Sequence, residues 1–176
     1  MLALAVLLTA GAQTAMAASA SEITQKARKA LDDLCKKEQS AKLLRKEARA
    51  ILVFPGIYKA GFIVGGAGGD GALLKEDKAI GYYRSVAASY GLQAGVQKFG
   101  YALFFMNDDA LAYLDKSEGW EIGVGPSIVV VEAGAGKSLT TTTGRSDVYA
   151  FIFSQKGLMA GIGIQGSKVT KISPDQ

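Results

Sequence analysis

The sequence predicts an α+β protein: a compact antiparallel β sandwich or barrel-like body, with N-terminal amphipathic helices and one short internal helix. Two observations carry this prediction. Apolar residues recur at helical spacing in residues 21–50, whereas residues 51–173 contain short apolar runs separated by polar or glycine breaks. The 22 glycines in 176 residues are too many for an ordinary helical bundle and suit the bends of a curved sheet.

Residues 1–17 have the pattern of a secretory signal peptide. An apolar run, Met1 to Leu8, precedes the small-x-small site Ala15-Met16-Ala17, after which we expect cleavage. The run is short and interrupted, which disfavours a transmembrane helix; an uncleaved anchor is the alternative. We therefore expect export to the periplasm or an envelope membrane.

Residues 18–50 are predicted to form a basic helical segment. Residues 21–50 carry nine basic and five acidic side chains, a net charge of +4, while the rest of the chain is neutral. Ser21 is the expected cap of a first helix, and a second helix is expected to start near Ser40. The apolar face of the first helix consists of Ile23, Ala27, Ala30, Leu31 and Leu34.

A basic stripe follows from the spacing of four cations in the second helix. Lys42, Arg45, Lys46 and Arg49 lie at positions i, i+3, i+4 and i+7, beside an apolar face of Leu43, Leu44, Ala48 and Ile51. A basic amphipathic helix can lie on an anionic membrane surface. The alternative is the solvated outer face of a helix that packs on the β body, and the stripe alone leaves both open.

The β-rich body, residues 51–176, begins with the buried strand Ile51–Phe54. Pro55-Gly56 has the composition of a type II turn. The glycine cluster between Gly65 and Gly71 either exposes backbone to a ligand's phosphates or lets strands bend and pack closely. Asn107-Asp108-Asp109 is expected to cap a short helix, Ala110–Asp115. Further strands are predicted at Ala79–Arg84, Ser85–Gln97, Tyr101–Met106, Trp120–Val124, Ser127–Val131, Asp147–Phe153, Leu158–Gln165 and Lys168–Ile172.

Two glycine motifs resemble phosphate-binding loops but lack their context. Gly66, Gly68 and Gly71 fit G-x-G-x-x-G, yet the turn Lys75-Glu76-Asp77 follows in place of a helix. Gly134 to Ser138 resembles the end of a Walker A loop, but its first glycine is missing and no helix start follows. We therefore predict a loop at Ala133–Gly144 and expect no nucleotide.

No catalytic or metal-binding constellation stands out. The chain has no histidine, and its single cysteine, Cys35, allows no intrachain disulfide. Asp108 and Asp109 suit a helix cap, Asp70 suits a turn, and Ser127 has no base to activate it. We expect a non-enzymatic protein with no cofactor and no metal.

Several motifs together resemble the SYLF domain, also called the Ysc84 actin-binding domain. The resemblance covers residues 21–173. It is carried by Ala48-Arg-Ala-Ile-Leu-Val-Phe-Pro55, Lys59-Ala-Gly61-Phe, Gly65-Gly66-x-Gly68-x-x-Gly71, Ser89-x-Gly91-x-Gln93-x-Gly95, Gly125-Pro126 and Tyr149-x-Phe151-x-Phe153-Ser154-x-x-Gly157-Leu158-Met-Ala-Gly161.

This resemblance implies lipid binding. Eukaryotic members of the family bind phosphoinositides through a basic N-terminal region, and fungal members also bind actin. Carried over by position, the lipid-binding residues are Lys42, Arg45, Lys46, Arg49 and Lys59. Because of its predicted signal peptide, the chain resembles a bacterial, exported member, whose natural partner is an anionic phospholipid head group.

Two function hypotheses follow. The first is a non-enzymatic lipid-binding module of the bacterial envelope that contacts anionic head groups through the basic helix. The alternative is a structural or protein-interaction module that uses strand edges or the aromatic residues Tyr82, Tyr83 and Trp120. In neither case do we expect nucleic acid as a partner.

Overall fold

The computed structural model describes residues 18–115, 119–131, 146–156 and 164–175, with the backbone alone at 62–64 and 89–94. The predicted signal peptide, the predicted loop at 133–144 and most of the predicted strand at 158–165 lie outside these residues. The elements are α1 (Ala20–Lys37), α2 (Gln39–Glu47), β1 (Ala50–Lys75), β2 (Lys78–Phe105), α3 (Asp108–Ala112) with a 3₁₀ turn at Tyr113–Asp115, β3 (Trp120–Glu121), β4 (Ile128–Val131), β5 (Val148–Lys156) and β6 (Lys168–Ile172). The α+β class, the N-terminal helices and the short internal helix are confirmed.

One long hairpin organises the sheet. β1 pairs antiparallel with β2 from Ala50↔Phe105 to Lys75↔Lys78, across a tight turn at Glu76 and Asp77. Both turn residues have positive φ, 48° and 62°, as a type I′ hairpin turn requires. The strands predicted as three separate pieces between residues 79 and 106 are therefore a single strand, β2.

Two further strands of the described chain pair with β2, one near each of its ends. β6 pairs with Tyr82–Val86, and β5 pairs with the segment from Lys98 to Phe105. The strand order is β3-β6-β2-β5-β4, with β1 also on β2. Since β4 runs parallel to β5, the sheet is mixed and not wholly antiparallel as predicted.

β1 passes close to itself at two glycines. A Cβ added to Gly69 would lie 2.9 Å from Ile57 Cδ1 and would overlap the carbonyl oxygen of Gly56. A Cβ added to Gly71 would lie 2.7 Å from Phe54 Cδ1 and would overlap the carbonyl oxygen of Val53. The two halves of β1 therefore pack in direct contact, and of the two interpretations of the glycine cluster, close strand packing is the one the structure shows.

The predicted turn at Pro55-Gly56 is wrong. Both residues belong to β1, and the register with β2 shifts between Phe54 and Ile57. A bulge tolerates proline because one residue of the bulged strand is left out of the ladder and needs no N–H donor. Proline and glycine occur at bulges as well as at turns, so the Pro55-Gly56 pair alone does not distinguish the two.

The sheet is buried on both faces. The inner face packs within the curl of the hairpin, and the outer face packs against α1. The inner core includes Leu52, Phe54, Tyr101, Leu103, Phe105 and Trp120, while the outer core includes Ile51, Val53, Phe104, Tyr149 and Phe151 together with Ile23, Ala27, Leu31 and Leu34 of α1. This alternation along β1 and β2 follows from the two-residue period of a strand.

The predicted helices start near the expected residues. The N-cap of α1 is Ser19, two residues before the predicted Ser21, and its Oγ accepts from the N–H of Glu22. Of the three residues predicted to cap the short internal helix, Asn107 is the N-cap of α3, with its Oδ1 accepting from the N–H of Ala110 at 2.8 Å, while Asp108 and Asp109 begin the helix itself. The hydroxyls of Thr24 and Tyr82 lie 2.9 Å apart and link α1 to β2.

The carboxylate of Asp147 joins the α3 cap to the segment before β4. It accepts from Asn107 Nδ2 at 2.8 Å and from both N–H and Oγ of Ser127, at 2.9 and 2.7 Å. These bonds, the Ser127 hydroxyl first, lower the pKa of Asp147 below its usual 3.8. Ser127 thus has a structural partner in the fold.

We expect Gly71→Ala to destabilise the protein by about 3 kcal/mol or more, because the methyl group would force β1 away from itself. Gly66→Ala is the matched control, since its Cβ would meet nothing closer than the Ala87 carbonyl oxygen at 3.8 Å. Urea unfolding measures both. If Gly71→Ala and Gly66→Ala were equally stable, the close approach of the two halves of β1 at Gly71 would be contradicted.

We expect Asp147→Asn to lower stability at pH 7 by about 1 kcal/mol, because a partly exposed charged acceptor is lost. A carboxyl group with a depressed folded-state pKa stabilises above its unfolded pKa, and this contribution disappears as pH falls through the folded value. The difference from the parent chain should therefore shrink below about pH 4. The control is Asp175→Asn, at an exposed carboxylate with no side-chain hydrogen bond among the described residues. If the stability lost in Asp147→Asn did not change with pH, the role given to the Asp147 carboxylate would be wrong.

Candidate functional site

The predicted basic stripe begins on α2 but does not continue as far as expected. Lys42, Arg45 and Lys46 lie on the helix, which ends at Glu47 because Ala48 is extended, with φ −65° and ψ 138°. Arg49 follows the helix, and its N–H donates to the carbonyl oxygen of Phe105 at 2.7 Å as β1 begins.

Arg45 holds the helices and the hairpin turn together. Its guanidinium donates to Asp32 of α1 at 2.8 Å and to Asp77 of the β1–β2 turn at 2.5 Å. Partial burial lowers the pKa of Arg45, but the hydrogen bonds to Asp32 and Asp77 outweigh it and raise the pKa above its ordinary value. The charge of Arg45 is thus compensated within the fold.

Lys42 and Lys46 are exposed and form no ion pair with any described residue. They stand one helical turn apart on either side of Leu43, which is 52% exposed although the sequence predicted it on the apolar face. Ser40 and Ala41 are the buried residues of this short helix. The exposed face of α2 therefore combines two uncompensated cations with an apolar side chain, and we call Lys42, Leu43 and Lys46 the α2 surface.

The two remaining predicted site residues lie apart from this surface. The Arg49 Nε is 3.7 Å from Asp108 Oδ1, and both side chains are largely exposed, so this pair is loose. Lys59 lies in the middle of β1, opposite Gln97, and not on the helix. The structure thus places four of the five residues on or directly after α2 and separates Lys59 from them.

A polar cleft of about 530 Å³ lies beside α2. Four cations and three carboxylates line it: Arg45, Lys46, Arg49 and Lys75, with Glu76, Asp77 and Asp108. Because the two signs nearly balance, the cleft itself is a poor anion site, and the positive potential of the region is carried by the exposed α2 surface.

A second, larger cavity of about 610 Å³ lies between α1 and the sheet. Its apolar lining includes Leu34 of α1, Tyr58 of β1 and Phe151 and Phe153 of β5. Small residues, Ala30 on the helix and Gly56 and Gly69 on β1, are among those that line it. The sequence did not predict this cavity, since residues from five elements, α1, β1, β2, β4 and β5, enclose it.

Of the three aromatic residues suggested as an exposed protein contact, two are buried and Tyr82 is only partly exposed. Tyr83 and Trp120 are each 1% exposed. Trp120 packs on Phe105 with ring centroids 5.8 Å apart, and its Nε1 donates to the Val124 carbonyl oxygen. Burial raises the pKa of Tyr83 to about 12. The period-two alternation of β2 puts Tyr83 on the inner face, a placement that composition alone could not reveal.

Two kinds of feature are absent from the described part of the chain, a membrane-spanning helix and a group of metal ligands. Across residues 18–115, 119–131, 146–156 and 164–175, no helix combines the length and hydrophobicity needed to cross a bilayer. Within the same ranges, no three His, Cys, Asp or Glu side chains are grouped to hold a metal ion.

Taken together, the fold and these surfaces define a small α+β domain whose candidate sites are binding surfaces. A family model described as Ysc84, Las17-binding protein actin regulator, matches residues 86–174, just over half of the chain. The chain therefore belongs to the Ysc84 family, a family of binding modules, as its motifs indicated. No curated protein matches the sequence. The matched range begins within β2, so it includes neither β1 nor the α2 surface.

We expect Arg45→Gln to lower the free energy of unfolding by about 1 kcal/mol, because Asp32 and Asp77 lose their shared partner at a partly exposed site. Lys46→Gln, one residue along the same helix, should change stability by less than about 0.5 kcal/mol. Thermal and urea unfolding compare the two. If Lys46→Gln lost more stability than Arg45→Gln, the assignment of Arg45 as the structural cation of this helix would be wrong.

Proposed function

We propose that the protein is a non-enzymatic lipid-binding module of a bacterial cell envelope, which contacts anionic phospholipid head groups through the α2 surface. The observation that carries the proposal is the pair of uncompensated cations, Lys42 and Lys46, on either side of the half-exposed Leu43. Export to the envelope is part of the proposal and rests on the signal-peptide pattern of residues 1–17.

The chemistry of the α2 surface suits a membrane interface. Each Lys or Arg near an anionic leaflet contributes about 1 kcal/mol, and an exposed leucine can bury apolar area at the acyl boundary. Arg49 can add to this attraction because its pairing with Asp108 is loose. Arg45 acts mainly by fixing the orientation of α2 against α1 and the hairpin turn.

A protein partner is the second candidate. The matched family model is described as a Las17-binding actin regulator, and it covers most of β2 and the elements after it, without α1, α2 or β1. A protein contact would therefore be sought on the sheet. Charge reversal at Lys42 and Lys46, which form no ion pair with a described residue, separates the two functions, since only lipid binding depends on these two lysines.

We expect Lys42→Glu with Lys46→Glu to weaken binding to vesicles containing anionic phospholipid by at least about 30-fold, since about 2 kcal/mol of attraction is lost. The measurement is co-sedimentation with vesicles of phosphatidylglycerol and phosphatidylcholine at low salt. Raising the ionic strength should weaken binding of the parent chain.

The matched control is Lys156→Glu with Lys168→Glu, which makes the same charge change at two exposed positions on the sheet. It should retain most of the binding. Equal binding of the parent chain to pure phosphatidylcholine vesicles, or equal loss in both double variants, would overturn the proposal. Unchanged capture of a protein partner by the α2 variant would instead support the second candidate.

A further inference from the structure

The cavity beneath α1 has the form of a ligand site and lies apart from the α2 surface. We propose that it binds one long-chain fatty acid, taken up as a monomer, with the acyl chain inside and the carboxylate at the mouth. The inference goes beyond the proposed function and does not depend on it, because a soluble monomer needs no membrane contact.

The inner wall of the cavity suits an acyl chain. Leu34 of α1 and Phe151 of β5 are buried residues of the outer core, and Phe153 packs against that core. Ile23 and Pro55 extend the apolar wall. Such a wall favours an unbranched hydrocarbon, because each methylene group removed from water strengthens binding about fourfold.

The volume suits one chain and not two. Ligand pockets typically measure about 300–1,000 Å³, and this cavity measures about 610 Å³. If a methylene takes roughly the 30 Å³ of a water molecule in the liquid, the space corresponds to about 20 such groups. A single long chain with its head group fills that space, whereas the two chains of a phospholipid exceed it.

Charged side chains surround the mouth of the cavity. Four lysines and three carboxylates line it: Lys26, Lys29, Lys37 and Lys98, with Asp33, Glu38 and Asp70. Four of these side chains are paired: Asp33 with Lys29 at 2.7 Å, Asp70 with Arg84 through two bonds of 2.7 and 2.9 Å, and Lys26 with Glu22 at 2.6 Å.

Lys37 and Lys98 remain as head-group partners. Neither forms an ion pair with a described residue, and Lys98 Nζ lies 5.0 Å from the ring centroid of Tyr58. The aromatic ring places this ammonium group at the edge of the apolar wall. An anionic amphiphile therefore complements the site in both its parts, and a cationic one complements only the wall.

The test uses the full chain and titrates decanoate, dodecanoate, tetradecanoate and hexadecanoate below their micellar concentrations by calorimetry. We expect one molecule per chain, with affinity rising several-fold for each added methylene until the cavity is full. Dodecylammonium should bind at least about tenfold more weakly than dodecanoate, since Lys37 and Lys98 repel it. Affinity that is independent of chain length, or equal for both head groups, would overturn the proposal.

Two variants of α1 locate the binding. Ala30→Phe places a ring in the cavity and should weaken hexadecanoate binding at least about tenfold. Gln25→Phe adds the same ring at an exposed position of the same helix that does not line the cavity, and should leave binding unchanged. An equal effect of the two variants would overturn the assignment.

A measurement on the parent chain covers the case in which Ala30→Phe fails to fold. A fatty acid with a spin label at its methyl end should broaden the amide signals of Leu34 and Phe151 and leave that of Trp120 sharp. Uniform broadening would refute the site. The Lys42→Glu, Lys46→Glu chain should keep its fatty-acid affinity while losing vesicle binding, so failure of one proposal is distinguishable from failure of the other.

Discussion

The fold depends on the close approach of the two halves of β1. Glycine at positions 69 and 71 lets backbone and ring atoms from Val53 to Ile57 occupy the space where side chains would stand. One hairpin thereby supplies two packed layers, and its inner face closes around Phe54, Tyr101 and their neighbours. The outer face of the same strands is left for α1, so the position of the helical segment also follows from this contact.

Some helices and strands are predicted correctly because their sequence patterns involve only neighbouring residues. The helical periodicity of α1, the Asn107 cap and the short strand β6 are encoded by neighbouring residues, and the structure has them within about two residues. The continuous β2 was divided into three predicted strands, since the sequence around Ser85 and Gly100 reads as breaks. Both residues lie inside the sheet, where a glycine or serine accommodates a close neighbour, such as the Phe153 ring at Gly100.

At the candidate site, the net charge of a sequence segment does not show which of its cations are paired in the folded chain. The excess of +4 between residues 21 and 50 is real, but two carboxylates that contact its arginines, Asp77 and Asp108, come from distant segments. Only the folded chain distinguishes Arg45, which is compensated, from Lys42 and Lys46, which are not. The cavity could not be predicted either, because its apolar wall and its lysines come from segments that meet only after folding.

The free energy with which the α2 surface can bind a membrane determines whether the attachment is transient or stable. Two lysines contribute about 2 kcal/mol and a fully buried leucine about 1.5–3 kcal/mol, which together correspond to a dissociation constant near the millimolar range. A single weak signal gives reversible attachment, and stable anchoring takes a second one. If residues 1–17 are cleaved, the α2 surface alone gives transient contact. If they are retained, the apolar segment supplies the anchor, and α2 then serves to orient the domain against the head groups.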